Sequence, residues 1–282
     1  ELVTVNALGI AGSMASGIIE YLADGSWTKR LHAGWAAQSG LRAVLMAEAG
    51  FTGPKTVFEG EHGFFRAFSP STAEDIELMT RDLGKSWFAK DVAFKPYASG
   101  TMTQPFIDCA LALRSRGIRA DQIAALQCFV GEGTVHRLWE PIDLKRRPPT
   151  AYAAKFSSPF CIAVGVLHGT AGLADFSDER IADPAMLELM QRIEYEVDPN
   201  DEYPRNYTGF IRATLSDGNI VEVRQPHLRG GSHERLSRRE LLDKCAANLS
   251  YGGADPRLAV QIADHADGMV EDCESISLSY LS

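Results

Sequence analysis

One clear β-hairpin signal, which follows a long stretch of helical pattern, constrains the fold of this sequence more than any other feature. The apolar segments 211–215 and 220–223 flank a tetrapeptide at 216–219, and its Asp-Gly step favours a tight hairpin turn. In the first 90 residues, by contrast, apolar side chains recur at three- and four-residue spacing, as at Leu41 and Leu45. These patterns predict a helical segment followed by a segment that contains strands.

Capping and first-turn residues predict where further helices begin. A Ser followed three residues later by Glu forms a capping box, and Asp-Pro or Pro alone is favoured at a helix start. Such starts lie at Ser71–Glu74, Pro105, Asp183–Pro184, Ser237–Glu240 and Asp255–Pro256. Apolar runs lie at 123–130 and 160–167, and the second suits either a buried strand or a short buried helix.

The order of these patterns predicts a mainly α fold with an inserted α+β domain. The helical domain is formed from both ends of the chain, residues 1–90 and 237–282, and the α+β domain occupies residues 91–236. A length of 282 residues is enough for two domains with buried cores. A hydrophobic content of 45% with 23% charged residues excludes a disordered chain.

Charge and cysteine content limit which partners and which cellular compartment are expected for this chain. Lys and Arg number 28 against 37 Asp and Glu, a net charge of −9, so no nucleic-acid partner is expected. The five cysteines are widely spaced and form no Cys-x-x-Cys pair. This usage predicts a reducing, cytoplasmic compartment and no zinc or other metal site.

The uncharged segment 2–19 reaches the length at which a membrane span is considered. It is rich in Gly and Ser and lacks a basic flank, so a buried helix of small residues is predicted rather than a membrane anchor or signal peptide. Close helix packing is also the favoured explanation of Gly9 and Gly12 within it. The sequence contains no phosphate loop, Gly-x-Gly-x-x-Gly, His-Glu-x-x-His or Gly-x-Ser-x-Gly motif.

Two cations and an imidazole form the first stretch that suggests chemistry. Lys29 and Arg30 supply positive charge, His32 can donate or relay a proton, and the helix that follows adds N–H donors. Such a site attracts carboxylates. The plainer alternative is a solvated basic turn beside a core histidine.

The second stretch combines a lysine, several hydroxyl groups and a helix N-terminus. Lys95, Ser99 and Gln104 lie in it, and together they suit a second carboxylate. The alternative is a polar interdomain hinge in which Thr103 or Gln104 caps the helix.

Other titratable groups carry weaker signals. Glu61-His62 and Asp264-His265 resemble acid/base pairs, but adjacent side chains on an element point to different faces, which favours surface placement or core packing. The basic cluster that starts at Lys145 is interpreted as a solvated loop. The segment around Arg229 and its neighbouring histidines, His227 and His233, is interpreted in the same way.

Several short segments of this sequence resemble the MmgE/PrpD family, also called the 2-methylcitrate dehydratase family. They occur in the family's order over nearly the whole chain, and they are specific as a set although no single one is diagnostic. The segments are Thr28-Lys29-Arg30-Leu31-His32-Ala33-Gly34 with Ala36-Ala37-x-Ser39-Gly40, Gly50-Phe51-Thr52-Gly53-Pro54, Lys95-Pro96-Tyr97 with Ile107-Asp108-x-Ala110-Leu111, Lys155-Phe156-Ser157-x-Pro159, and Asp183-Pro184-Ala185.

The resemblance implies the same two-domain fold and a chemistry of proton transfer beside a carboxylate. Family members include dehydratases of 2-methylcitrate and related tricarboxylates, a cis-aconitate decarboxylase and an epimerase of iminodisuccinate, and they work without a metal or organic cofactor. Lys29 and Lys95 match positions that line the family's substrate pocket, which implies catalytic roles in carboxylate binding and charge stabilisation. If the two lysines lie close together and buried, one of them can act as an acid or base. The predicted substrate-binding residues are Arg30, His32, Ser99 and Gln104.

The resemblance therefore implies a cofactor-independent lyase of the dehydratase type that acts on a small di- or tricarboxylate. The alternatives are an epimerase, isomerase or decarboxylase of the same family. A non-catalytic subunit that completes a partner chain is a further alternative from a different class.

Departures from the family pattern bear on these alternatives. Gln104 stands where many members have His, and a Gln side chain cannot exchange a proton at neutral pH. His168 stands where relatives often have Asp. Members begin with a helical segment that carries an active-site His and paired Asp residues, and this sequence starts after it. We therefore expect a homodimer or a second chain that supplies that segment.

Overall fold

The structure is a computed structural model that describes residues 1–22, 26–69 and 73–271 of the chain. Contacts between residues divide the chain into two compact units, Glu1–Lys90 and Asp91–Ser282. Each unit is described by itself below. The return of residues 237–282 to the first helical domain stays a prediction.

Unit 1 is helical in the residues that the structure describes. Its helices are α1 (Leu2–Ser13), α2 (Thr28–Glu48), α3 (Phe64–Phe68) and α4 (Ala73–Arg81). The helical pattern of the first 90 residues is thus confirmed. The predicted capping box at Ser71 lies outside the described residues.

Small side chains bring α1 and α2 together. Ala7 and Ile10 of α1 form a buried cluster with Ala43 and Ala47 of α2. The larger apolar residues of the sequence pattern face outward instead, and Leu41 is 64% exposed. A close approach of two helices requires small residues at the contact, so the buried stripe of α2 is not the stripe of its largest apolar side chains.

Gly9 lets α1 contact the following loop directly. A Cβ atom on Gly9 would lie 2.6 Å from the carbonyl oxygen of Pro54, and one on Gly53 would lie 2.6 Å from the backbone nitrogen of Ile10. Neither site has room for a side chain. Gly12 likewise packs against the side chain of Val57. The packing explanation of these glycines is confirmed.

The prediction of one buried helix over residues 2–19 is only partly correct. α1 ends at Ser13, and its buried residues lie on one face, while Leu2 is 63% exposed. Gly17 takes a backbone φ of +112°, which a helix does not contain. Within the part of the chain that the structure describes, no helix is long and apolar enough to cross a bilayer.

Unit 2 combines helices with a four-stranded sheet. Its helices are α5 (Gln104–Ser115), α6 (Glu132–Leu138), α7 (Ile142–Arg146), α8 (Ala151–Ala154), α9 (Ser158–His168), α10 (Asp178–Ile181), α11 (Pro184–Gln191), α12 (Arg238–Tyr251) and α13 (Leu258–Glu271). Its strands are β1 (Ile123–Val130), β2 (Ile193–Val197), β3 (Gly209–Leu215) and β4 (Ile220–Gln225). The strand order is β2-β1-β3-β4, with β1 parallel to β2 and the other pairs antiparallel.

The predicted hairpin is present as β3 and β4. The Leu215 N–H donates to the carbonyl oxygen of Asn219 at 2.8 Å, and Gly218 has a φ of +87°. The Asp217 carboxylate accepts a hydrogen bond from the Asn219 N–H. The Asp-Gly step therefore closes the turn, because Gly adopts a positive φ at little cost.

The core of unit 2 lies between the sheet and two helices. α5 packs on β3 and β4, and α9 packs on α5, α7 and α11. Nine residues of α9 are buried, so the apolar run at 160–167 is a buried helix rather than a strand. A helix that packs against neighbours on several sides has apolar residues around its whole circumference, so its sequence is a continuous apolar run.

The interpretation of the basic cluster at Lys145 as a solvated loop is wrong for its first two residues. Both belong to α7, and Arg146 is only 9% exposed. Arg146 forms an ion pair with Glu194 at 2.5 Å. The Lys145 ammonium donates to the carbonyl oxygens of Arg137 and Phe156, at 2.6 and 3.0 Å. Burial lowers the pKa of Lys145.

Most of the predicted helix starts are confirmed. Pro105 lies in the first turn of α5, and the Asp183 carboxylate accepts the Ala185 N–H before α11. Ser237 and Glu240 form the capping box of α12. The caps at Asp183 and Ser237 satisfy N–H groups that a helix start leaves unpaired, and Pro105 has no N–H group to satisfy.

Candidate functional site

The first candidate stretch forms the opening turn of α2. Because the helix begins at Thr28, Lys29 and Arg30 lie inside its first turn rather than just before it. Trp27, the residue that precedes the helix, makes no capping hydrogen bond with its side chain. The N–H groups and the positive dipole end of α2 therefore add to the charge of the two cations, which favours an anion here.

A pocket of about 530 Å³ lies beside this turn. His32 is among its lining residues, whereas Lys29 and Arg30 are not among the described residues that line it. The Lys29 ammonium lies 5.8 Å from the centre of the Tyr21 ring, and the His32 ring meets the same ring edge-on at 5.8 Å. The structure thus brings Lys29 and His32 together around Tyr21. The lining residues are Ser16, Gly17, Ile18, Glu20, Tyr21, Ser26, Thr28, Leu31, His32 and Trp35.

His32 and Arg30 have different contacts: His32 packs on Gly17, and Arg30 stacks on Trp27. A Cβ atom on Gly17 would lie 3.5 Å from the His32 ring, so the ring packs directly on this positive-φ backbone. His32 is only partly buried, which does not fit a core histidine. The Arg30 guanidinium instead stacks on the Trp27 ring at 4.4 Å.

The second candidate stretch belongs to unit 2. Lys95 is exposed, and its ammonium donates to the Ser99 carbonyl oxygen at 3.3 Å. Ser99 is buried, and its hydroxyl oxygen accepts a hydrogen bond from the Thr103 hydroxyl at 2.8 Å. Thr103 makes no capping hydrogen bond to α5 with its side chain. The helix-capping alternative for Thr103 is therefore wrong.

Gln104 is fully buried as the first residue of α5. Neither its amide nitrogen nor its amide oxygen has a hydrogen-bond partner among the described residues. It does not cap the helix either. A buried amide without partners costs folding free energy, so its presence marks a position where packing alone does not explain the residue.

Lys95 lines a pocket of about 460 Å³ together with one side of α12. Most of the lining is apolar, but it includes a second lysine, Lys244. The lining residues are Phe94, Lys95, Leu241, Lys244, Cys245, Asn248, Leu249, Gly252 and Ala254. Lys95 thus lines a pocket of unit 2, whereas Lys29 of unit 1 lies in the helical turn beside a pocket that it does not line.

A buried polar network that sequence reasoning missed lies close to Lys95 in the chain. The Tyr97 hydroxyl donates to the Asp108 carboxylate, and Arg229 donates to the Tyr97 oxygen at 3.0 Å. Arg229 also lies 3.4 Å from Asp108 and forms an ion pair with Glu240 of α12. The segment around Arg229 is a loop, as predicted, but its guanidinium connects α12 to α5.

Burial and charge act in opposite directions within this network. Burial raises the pKa of Asp108 to about 6, although the Tyr97 hydrogen bond and the Arg229 charge oppose the shift. Burial also raises the pKa of Tyr97 far above its usual range. Hydrogen bonds from Ser237 and Arg229 lower the pKa of the exposed Glu240 to about 2.

The network lines a larger cavity of about 880 Å³ in unit 2. Tyr97, Arg229 and Glu240 lie on one side of it, and the loop at 169–175 contributes to another. Lys244 belongs to this lining as well as to that of the Lys95 pocket. The cavity therefore adjoins the Lys95 pocket through a shared lysine.

The remaining sequence candidates do not gather into a site. Glu61 and His62 are exposed, as are Asp264 and His265, which agrees with surface placement. Burial lowers the pKa of His168 at the end of α9. Within the described ranges, no group of three or more His, Cys, Asp or Glu residues is arranged to hold a metal ion. The described cysteines, Cys109, Cys128, Cys161 and Cys245, are free thiols.

One signal in the sequence pointed towards the missed network. Tyr97 and Asp108 both belong to segments that carry the family resemblance. The resemblance could therefore have marked these two residues as candidates. Arg229 lies 121 residues beyond Asp108, in a loop with no motif. Only the folded chain identifies it as their partner.

Comparisons with known proteins agree with the segments of resemblance. Residues 97–267 match the family model described as "MmgE/PrpD C-terminal domain", and residues 2–77 match the one described as "MmgE/PrpD N-terminal domain". The first of these matches alone covers more than half of the chain.

Curated relatives support the same assignment. The chain is 28% identical to the cis-aconitate decarboxylase of Mus musculus over 249 residues, which are 86% of this chain and 50% of that protein. It is also 28% identical to the Homo sapiens enzyme of that name over 251 residues, with the same two shares. An Aspergillus terreus cis-aconitate decarboxylase is 26% identical over 236 residues, 77% of this chain and 46% of the relative. The chain spans about half the length of these relatives, and it belongs to the MmgE/PrpD family.

Proposed function

We propose that this chain forms all or part of a cofactor-independent lyase that acts on a small di- or tricarboxylate. The observation that carries the proposal is the placement of the family's two lysine-bearing segments, each beside a largely apolar pocket. Lys29 lies with His32 around Tyr21, and Lys95 faces α12 across its own pocket. The pocket of Lys95 suits a carboxylate, because an apolar wall strengthens the attraction between a cation and an anion. Lys29 is exposed and lies beside its pocket, at the positive end of the α2 dipole.

The proposed chemistry starts with a proton on the carbon next to a carboxylate. Its removal leaves negative charge that spreads onto the carboxylate oxygens, and nearby ammonium groups stabilise that charge. Lys29 and Lys95 supply these groups in the proposal. His32 orients the substrate or relays the proton, since an imidazole can both donate and accept one.

Water and carbon dioxide are the two leaving groups under consideration. A dehydratase removes the proton and expels the hydroxyl as water, which forms a carbon–carbon double bond. A decarboxylase breaks the bond to a carboxylate carbon, releases carbon dioxide, and adds a proton to the carbon left behind. Dehydration is our first proposal. Decarboxylation of an unsaturated tricarboxylate is the second, and the names of the relatives favour it.

The identity of the leaving group is tested directly by NMR in deuterated water. The natively purified protein, with any chain that accompanies it, is incubated separately with 2-methylcitrate and with cis-aconitate. A new alkene signal from 2-methylcitrate supports dehydration, and loss of a carboxylate carbon from cis-aconitate supports decarboxylation. Deuterium exchange without either change favours an epimerase. No change with any substrate favours a non-catalytic subunit.

Lys29→Ala tests whether the first segment takes part. We expect kcat/KM to fall at least about 100-fold, because the variant removes a cation that stabilises developing charge. Lys85→Ala is the matched control, since Lys85 is an exposed lysine of the same unit. Unchanged kinetics in Lys29→Ala, with the fold intact by circular dichroism, would exclude Lys29 from the reaction.

Assembly and location are also proposals. We infer from the family resemblance that the active form is a homodimer or contains a second chain. A cytoplasmic location follows from the cysteine usage. Cell fractionation tests the second inference.

A further inference from the structure

The pocket beside Lys95 contains a second cation that the sequence did not single out. Lys244, on α12, lines this pocket of about 460 Å³ and also the adjoining cavity. Phe94, Leu241 and Leu249 make much of the remaining wall apolar. Two lysine side chains thus line one largely apolar pocket.

Among the described residues, no acidic side chain forms an ion pair with Lys244. It is partly buried, and no hydrogen bond or ion pair joins it to any described residue. Glu240, one helical turn earlier, is engaged by Arg229 and by the capping box. Asp243, the adjacent acid, lies 3.7 Å from Arg239 instead. The nearest carboxylates of α12 therefore have other partners.

Two lysines that line one pocket have a physical cost. They place like charges in it, and like charges repel one another. An anion that enters the pocket offsets this repulsion. A carboxylate is the anion that follows from the proposed function, because the proposed substrate carries several of them.

We propose that Lys244 is a substrate-binding residue that works with Lys95 to hold one carboxylate of a small tricarboxylate. This inference rests on the proposed function, and it adds a specificity-determining residue from the C-terminal part of the chain. Lys244 positions the substrate through charge and takes no part in proton transfer.

Binding of an inert tricarboxylate tests the inference without turnover. Calorimetry measures the Kd of propane-1,2,3-tricarboxylate for the natively purified protein and its variants. Lys244→Met should weaken binding at least about tenfold, because a charge-assisted contact is lost. Lys244→Arg should restore most of the affinity. Arg257→Met, which removes an exposed charge of the same unit that pairs with Asp255, should stay within about twofold.

Kinetics add a measurement that a purely structural role would not reproduce. If either proposed substrate is turned over, Lys244→Met should raise KM more than it lowers kcat, and Lys244→Arg should reverse the change. A fall in kcat alone would overturn the positioning role.

A labelling experiment on the unaltered protein covers the case in which Lys244→Met does not fold. Reductive methylation, followed by mass spectrometry, reports the reactivity of each lysine with and without propane-1,2,3-tricarboxylate. Lys95 and Lys244 should both be protected by the ligand, and exposed Lys85 should not. Protection of Lys95 without protection of Lys244 would overturn the inference.

The outcomes separate the two proposals. Tight binding by the wild-type protein together with equal binding by Lys244→Met refutes the role of Lys244 and leaves the proposed function standing. If the wild-type protein neither binds the probe nor turns over a tricarboxylate, the proposed function fails and this inference fails with it.

Discussion

The surroundings of Asp108 change the acid–base chemistry of its carboxyl group. Its side chain is only 9% exposed, and its second carboxylate oxygen has no hydrogen-bond partner among the described residues. Arg229 and Tyr97 both contact the first oxygen, yet the pKa of Asp108 still rises to about 6. Desolvation of the charge therefore outweighs the attraction of a single arginine that is shared with Glu240.

The raised pKa of Asp108 predicts how stability depends on pH. The folded state holds this proton more tightly than the unfolded chain, so ionisation of Asp108 opposes folding. From this group alone, the free energy of unfolding should fall by roughly 3 kcal/mol as pH rises from about 4 to about 6, and then stay level.

Asp108→Asn isolates that contribution. The variant cannot ionise, so its unfolding free energy relative to the wild type should increase over the same pH range in urea titrations. Asp121→Asn is the control, because Asp121 is an exposed partner of Arg119 whose pKa is lowered. Parallel pH profiles for the wild type and Asp108→Asn would contradict the prediction.

At the scale of elements, contact distance decides which residues are buried. α1 and α2 approach through Ala7, Ala43 and Ala47, with Gly9 against the loop at Pro54. α9 instead has neighbours on several sides and is apolar around its circumference. The packing of α1 on α2 therefore requires small side chains, whereas the packing of α9 requires large apolar ones.

Gly9→Ala tests the close approach of α1. The added methyl group would overlap the backbone of Pro54, so we expect a loss of about 1–3 kcal/mol in unfolding free energy, seen as a lower denaturation midpoint. Gly34→Ala in α2 is the matched control, because no atom lies within 4 Å of its added carbon. That variant should gain up to about 1 kcal/mol from helix propensity. Equal effects of the two substitutions would refute the packing argument.

At the scale of the whole molecule, the two units carry separate parts of the candidate chemistry. Unit 1 contains Lys29 and His32, and unit 2 contains Lys95, Lys244 and the Asp108 network. The chain spans about half the length of the curated relatives that it matches. Within each unit, the described residues therefore supply only some of the groups that the proposed function uses.

The mass of the native assembly tests the proposed homodimer or second chain. We expect the natively purified protein to exceed the 30.8 kDa of this single chain, either as a dimer or through an accompanying helical chain. Mass spectrometry under native and denaturing conditions distinguishes the two. A native monomer of 30.8 kDa that neither binds nor converts tricarboxylates would favour a non-catalytic subunit.

The sequence by itself determined the local structure and the family. The Asp-Gly step placed the β3–β4 turn, the Ser237–Glu240 box placed the start of α12, and the lysine-bearing segments identified the MmgE/PrpD family. These features depend on neighbours in the chain, so residue order is enough to predict them.

Only the tertiary structure decided which distant side chains meet. It buried Lys145 and Arg146, left Leu41 exposed, joined Arg229 to Asp108, and set Lys244 in the same pocket as Lys95. Periodicity cannot reveal these outcomes, because the charge and burial of a side chain depend on residues that folding brings near from far along the chain. The pKa of Asp108 is set by such neighbours and by the removal of water. Neither effect can be predicted from the residues next to Asp108 in the sequence.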